Sequence, residues 1–311
     1  MDERAALAML AETLEHVGDD AAVVDGLVIT TDMLHERTDF PVGTTRYTAG
    51  WRSVGASLSD VAAMGADARA AVAAYAAPDF DSEELGAFVS GARDVCQAVG
   101  ADYVGGDLDT HEEFTVATTA IGDVDDPVWR SGATPGNLVC VTGSLGRSAA
   151  ALERFAAGDL ERANALFRFE PRVATGRRLA LEATAMMDSS DGLARSLHQL
   201  AEAAGCGFAI DADAVPIDPA LESALENGDP AMGETGPEAT TKDGVDDPLL
   251  ERAITFGEDF ELVCALPPRA FDELAAALEC QLTVLGDVRE ADHGVTIDGD
   301  HLPDRGYTHG G

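Results

Sequence analysis

Asp20 closes the turn Gly18-Asp19-Asp20-Ala21, and Asp32 ends the apolar run Leu27-Val28-Ile29-Thr30-Thr31. Asp60 sits among small and apolar neighbours in Ser57-Leu58-Ser59-Asp60-Val61-Ala62, and Asp107 follows the paired glycines Gly105-Gly106. Asp188 and Asp191 bracket Asp188-Ser189-Ser190-Asp191-Gly192, and Glu258-Asp259 opens another apolar run. Carboxylates that serve solvation favour polar helix faces, whereas these stand at strand ends and in tight turns. Several of them can converge only if something neutralises them, because like charges in one site push pKa values up. Hard oxygen donors suit Mg²⁺, which binds through a few carboxylates together with substrate phosphates. Thr30, Thr31 and Ser190 add hydroxyls, the two glycines let backbone approach a phosphate, and a helix starting near Asp191 offers free N–H groups to an anion. Taken singly, each motif also admits a plain structural role: DSSDG is a good helix cap, and GGD a common turn. Their order and spacing as a set carry the weight.

The remaining charge has a different meaning. The chain of 311 residues carries 57 acids and 20 bases, a formal net charge of -37. Such a surface repels nucleic acid and anionic lipid, which excludes both as partners, and it fits a protein adapted to a salty, halophilic cytoplasm. Lys242 is the only lysine, and it lies in the acidic stretch TTKDGVDD. No GxxxxGK[ST] loop and no Schiff-base lysine is present, so metals and arginines must neutralise any bound polyphosphate. Five widely spaced cysteines without a CxxC pair argue against zinc or a disulfide framework, and Cys140 and Cys264 lie in apolar runs. No apolar stretch is long enough for a membrane span, and Met1-Asp2-Glu3-Arg4 does not open a secretory signal; a cytoplasmic location is expected.

The elements that must position these residues alternate between strands and helices, which predicts an α/β (α+β) protein of two domains. Helical spacing covers residues 3–16, and two β-rich runs flank the turn dipeptide Asp25-Gly26. A long helix rich in small residues follows from Thr44 to Gly65, then a strand over 69–77 and a helix over 82–98. DYVGG and FTVATTAIGDV read as strands. The turn-rich joint Arg130-Ser131-Gly132-Ala133-Thr134-Pro135-Gly136 sets the expected boundary, giving domains 1–130 and 131–311. Beyond it, NLVCVTG, MMD, GFAID, ELVCALP and LTVLGDV read as strands, and helices run from Arg147 to Leu181. Residues 227–247, acidic and rich in Gly and Pro, read as a surface insertion.

The motifs GDDAAVV, ITTDML, SLSDVAAMGADAR, YVGGD, WRSGATPG, VTGSLG, DSSDGL and GEDFEL, in this order, resemble those of the thiamine-monophosphate kinases, within the superfamily of aminoimidazole ribonucleotide synthetase. The resemblance spans nearly the whole chain. It implies a homodimer whose N-terminal mixed sheets pack together, and a C-terminal α/β domain. It implies ATP and several Mg²⁺ ions, and in-line transfer of the γ-phosphate to thiamine monophosphate to give thiamine diphosphate. A phosphate nucleophile is already ionised, which fits the lack of an evident catalytic histidine. By position, Asp20, Thr30, Thr31, Asp32, Asp60, Asp107, Asp188 and Asp191 resemble the metal ligands, and Gly106, Asp107, Arg130 and Ser190 the ATP contacts. Asp39 and Glu258 fall where the family meets its thiamine substrate, with Tyr307 the nearest aromatic to close that site. Position 39 departs from relatives that carry His. A purine-pathway synthetase of the same superfamily, or an acidic protein that only binds divalent metal, are the rival readings.

Overall fold

The computed structural model describes residues 9–10, 13–14, 17–226, 245 and 247–306. The helix expected over 3–16 and the insertion over 227–247 fall largely outside them, and Tyr307 falls outside them entirely.

The N-terminal half opens with the hairpin β1 (Ala22–Val24) and β2 (Leu27–His35). Its turn has Asp25 and Gly26 at φ 51° and 80°, the pair of positive values that a type I′ turn demands and that this dipeptide tolerates. A single turn α1 (Glu36–Asp39) leads to the long helix α2 (Arg46–Ala63), capped by Thr45, whose side chain accepts from Thr48 N–H. Then come β3 (Asp67–Ala77), α3 (Ser82–Ala98), β4 (Asp102–Thr110) and β5 (Thr115–Asp123). The strands form one mixed sheet in the order β1-β2-β5-β3-β4, with only β3 and β4 parallel. The small residues expected in α2 serve close packing: a β-carbon at Gly50 would collide with the Phe88 carbonyl of α3, and one at Gly91 with the Tyr47 carbonyl of α2. Helices α2 and α3 cover one face of the sheet over a core that includes Val54, Leu58, Phe88 and Phe114.

The other face is open. Ile29, Met33 and Val72 point to it and are 39%, 58% and 37% exposed. The registers put Ile29 beside Ile121, and Met33 in one row with Ala117, Ala74 and Asp107.

The chain then passes through the 3₁₀ turn Arg130–Gly132 into β6 (Leu138–Thr142) and the helices α4 (Arg147–Ala156), α5 (Leu160–Phe167) and α6 (Val173–Leu179). Strand β7 (Ala185–Asp188) feeds α7 (Leu193–Ala204), followed by β8 (Gly207–Ile210), α8 (Pro219–Glu226) and α9 (Pro248–Thr255). The half ends with β9 (Leu262–Leu266), α10 (Phe271–Ala277), β10 (Leu282–Arg289), β11 (Val295–Ile297) and β12 (Asp300–His301). Its sheet runs β12-β11-β8-β10-β6-β9-β7, with Cys140 directly opposite Cys264 and both buried, as their apolar runs predict. Strand β7 is an edge strand, and its end carrying Asp188 lies against α2 of the N-terminal half, whose Ser59 donates to it.

Candidate active site

Carboxylate oxygens of Asp20, Asp60 and Asp188 lie within 4.8 Å of one another. They come from three places: the turn before β1, the last turns of α2, and the C-terminal end of β7. Neighbouring side chains aim each of them. Thr30 on β2 donates to Asp60 Oδ2 at 2.5 Å. Ser59 on α2 donates to Asp188 Oδ2 at 2.7 Å, and Ser190 gives its hydroxyl (2.7 Å) and N–H (3.1 Å) to Asp188 Oδ1. Ser57, one turn before Asp60, donates to Asp32 Oδ2 at 2.6 Å. Arg130 clasps Asp20 with Nε at 3.1 Å and Nη2 at 3.0 Å, while its own N–H donates to Asp19 at 2.7 Å.

The electrostatic consequence is strain of one sign. Burial, then the carboxylates of Asp32, Asp188 and Asp20, raise Asp60 well above the ordinary carboxylate range. Burial, helped by Asp20, pushes Asp188 up to about 7, against the pull of its serine donors. Burial works against the charge on Arg130, but its contact with Asp20 outweighs that and holds it firmly protonated. The donor set fits Mg²⁺: hard oxygens only, converging from three directions, with more negative charge than one arginine offsets.

Two residues expected at the metal are placed elsewhere. Alternation along β2 puts Thr30 and Asp32 on the face toward α2 and turns Thr31 to the open face, where its hydroxyl donates to the Thr118 carbonyl at 2.8 Å. The Thr31 hydroxyl therefore does not join the cluster. Asp107 is exposed on edge strand β4, also on the open face, in the row of Met33. Three strand spacings, about 14 Å, separate it from β2, so within one chain it stands apart from the trio. The glycine before it has a structural reason as well: a β-carbon at Gly106 would collide with the Ala73 carbonyl. Asp191 is half-buried in the turn between β7 and α7, next to the cluster in sequence but outside the trio itself.

A cavity of about 1060 Å³ opens between the two halves, and both Asp39 and Glu258 line it, with Arg37, Arg46, Phe167 and Phe256 among their neighbours. Asp39 accepts from His35 N–H at 2.7 Å and from the Thr38 hydroxyl at 2.8 Å. The loop bearing Glu258 is tied to the cluster: Glu258 N–H donates to the Ser190 carbonyl at 2.6 Å. The other acids of the GEDFEL run work as supports. Asp259 accepts from Gly146 N–H (2.5 Å) and Ser148 N–H (2.8 Å) at the start of α4, and Glu261 holds Arg172 in a two-pronged pair at 2.8 and 2.6 Å. Burial pushes Asp259 up to about 7 despite those two donors.

Comparison with known proteins follows this geometry. Residues 18–124 match the family AIR synthase related protein, N-terminal domain, and residues 134–299 match its C-terminal domain. A curated thiamine-monophosphate kinase of Halobacterium salinarum is 60% identical over 309 residues, covering 99% of this chain and 100% of the relative. The chain belongs to the thiamine-monophosphate kinase family. The family's enzyme from Methanospirillum hungatei is 37% identical, with 99% of each chain covered. A solved family structure, described as "AaThiL complexed with AMPPCP and TMP", superposes with a TM-score of 0.86 at 25% identity, over 99% of this chain and 97% of that one. The family fold is thus the two-domain arrangement seen here, and the trio and the cavity lie in segments that both domain matches include.

Ser57, Ser59 and Asp19, which touch the cluster, were not legible as site residues. A signal existed for two of them: Ser57 and Asp60 are three apart, and Ser59 adjoins Asp60, within one helix turn.

Proposed function

We propose that the protein phosphorylates thiamine monophosphate to thiamine diphosphate with ATP, by direct in-line transfer assisted by Mg²⁺. The observation that carries this reading is the carboxylate trio, with Asp188 buried and Asp20 and Asp60 half-buried, joined through Ser190 and Glu258 to a cavity lined by Asp39 and Glu258. Asp20, Asp60 and Asp188, with Asp32 and Asp191 beside them, would hold Mg²⁺. Bound there, the metal would neutralise the phosphates of ATP and the charge that builds on the transferring group. The chain's own part is positioning. Thr30, Ser57, Ser59 and Ser190 fix the carboxylates before a ligand arrives. Arg130 keeps its charge at the site's edge, where it can turn from Asp20 to a phosphate oxygen. Asp39 and Glu258 favour a cationic thiazolium ring in the cavity. The acceptor phosphate needs no general base, because it is ionised at neutral pH.

The reading includes a homodimer. The open sheet face offers Ile29, Met33, Val72, Ala117 and Ile121 as an apolar surface. A second copy packed there would cover it and bring Asp107 and Gly106 beside the partner's site, which accounts for their distance from the trio within one chain. The net charge of -37 leads us to expect activity in high salt, in a cytoplasmic setting.

The test is direct: purified protein in molar KCl with ATP, MgCl₂ and thiamine monophosphate should release ADP and thiamine diphosphate in equal amounts. Folded protein that makes no thiamine diphosphate under these conditions would end the assignment.

A further inference from the structure

Arg52 is the largest fully buried side chain among the described residues, and none of the proposed chemistry uses it. Helix α2 carries it two turns before Asp60, about 12 Å along the axis. Its Nη1 donates to the Phe167 carbonyl at 2.7 Å, and its Nη2 donates to the Glu258 carbonyl at 3.0 Å and to Glu258 Oε2. The guanidinium lies 3.7 Å from the centre of the Phe167 ring, with Phe169 and Phe260 at 5.5 and 5.4 Å. Phe169 and Phe260 stack on each other at 4.1 Å. Glu258, at the other end of this ion pair, has φ 67°, and Phe260 two residues on has φ 55°. Side chains other than glycine resist that backbone region, so surrounding contacts must impose it. Arg52 supplies two of those contacts, and Ser148 supplies a third, its hydroxyl donating to the Glu258 carbonyl at 2.6 Å.

We infer that Arg52 is a positioning residue for acceptor specificity: from inside the core it fixes the left-handed backbone and carboxylate of Glu258 at the wall of the cavity. The inference rests on the proposed reading of that cavity as the acceptor site. The arrangement is a clamp. Arg52 holds the loop from the helix side, the Ser190 carbonyl holds it from the side of the carboxylate trio, and Glu258, held from both, lines the cavity. Because the guanidinium is planar and forked, its Nη1 holds the Phe167 carbonyl while its Nη2 grips the carbonyl and carboxylate of Glu258, a span that an ammonium cannot cover with the same geometry. Removing it should loosen the acceptor wall and leave the nucleotide side, held by Thr30, Ser59 and Ser190, in place.

The experiment compares wild type with Arg52→Met, Arg52→Lys, Glu258→Gln and the double variant Arg52→Met/Glu258→Gln, all in molar KCl with MgCl₂. Methionine fills the aromatic box without charge, so a folded variant is expected, and circular dichroism checks it. Thiamine monophosphate binding is read by calorimetry, and KM is read separately for acceptor and for ATP. Arg52→Met should raise the acceptor Kd and KM at least tenfold and move the ATP KM by less than twofold. In the Glu258→Gln background the same change should move the acceptor Kd by less than threefold, and Arg52→Lys should fall between. An unchanged acceptor Kd in folded Arg52→Met, equal losses for both substrates, or equal losses in both backgrounds would each overturn the inference. Should Arg52→Met not fold, Arg52→Lys carries the same acceptor-only criterion. A wild-type protein that binds no thiamine monophosphate overturns the cavity reading together with the inference. An active wild type with unaltered Arg52 variants overturns the inference alone.

Discussion

Replacing Asp60 by Asn should make the metal-free protein more stable and the enzyme inactive, and the size of the gain follows from the geometry. Carboxylate oxygens of Asp20, Asp60 and Asp188 lie within 4.8 Å of one another. At an effective dielectric constant of ~20, two unit charges at that separation repel by about 3.5 kcal/mol. Asp20 is largely compensated by Arg130, so Asp188 supplies most of the penalty on Asp60. Wild type escapes part of it by taking up a proton, since burial and its neighbours raise Asp60 well above the usual range. Asn keeps an acceptor for the Thr30 hydroxyl, so little is lost on that side. A net gain of about 2 kcal/mol is expected in EDTA, or roughly 5 °C in Tm for a domain of this size. Magnesium should reverse the order. At 100 times its Kd, a ligand bound only to the folded state adds about 2.7 kcal/mol to wild type, while the variant loses most of its affinity. Thermal melts at fixed KCl, with EDTA or with MgCl₂, read both effects. If Asp60→Asn melts below wild type in EDTA, or if Mg²⁺ raises both proteins equally, the picture of a repulsive cradle awaiting a cation is wrong.

Asp107→Asn should nearly abolish turnover with the fold intact by circular dichroism; wild-type activity would remove Asp107 from the metal site. Mixing that variant with Asp60→Asn and refolding should restore activity, because a heterodimer keeps one site with both aspartates, and no recovery would argue that each site is built from one chain. Val72→Asp, on the open sheet face, should shift the protein from dimer to monomer by light scattering. For Asp259, the folded pKa of about 7 lies above the ordinary 3.8, so the folded state binds the extra proton between these values. Stability contributed by that proton is therefore present at low pH and lost as pH rises from about 4 to 7, by at most about 4 kcal/mol. Urea titrations across this window should show wild type losing stability relative to Asp259→Asn, and parallel pH profiles would contradict the assignment.

The sequence carried its information unevenly. Residues whose chemistry is local were readable: the Asp25-Gly26 turn, the small residues of α2, and Asp188 at the end of β7 all obey rules that act within a few residues. Period-two alternation also separates Thr30 from Thr31, and applying it to LVITTD assigns only Thr30 and Asp32 to the side of α2. Contacts across the fold were not readable. Arg52 sits in a helical run like any surface arginine, yet it is fully buried against a residue 206 positions away. Nothing in Trp51-Arg52-Ser53 announces this, because the acceptor that justifies burying the charge exists only after the two halves meet.

That meeting also explains why acids so numerous on the surface can be specific within. Acids with exposed side chains, such as Glu84, Asp123 and Asp67, pair with arginines at the surface, where salt screens such contacts. Asp20, Asp60 and Asp188 differ because each has a fixed donor from a different element: Arg130 from the 3₁₀ turn, Thr30 from β2, and Ser59 from α2. With no lysine near the cluster among the described residues, its charge is balanced by Arg130 and by protons on the raised carboxylates, which a cation would displace. Arg130 pairs with one carboxylate, which leaves Asp60 and Asp188 without a cationic side chain of their own and suits them, on the proposed reading, to divalent cations. On the proposed reading, closing the site would require cation, nucleotide and both halves together, and the same helix α2 that carries Asp60 into the trio carries Arg52 to the loop of Glu258.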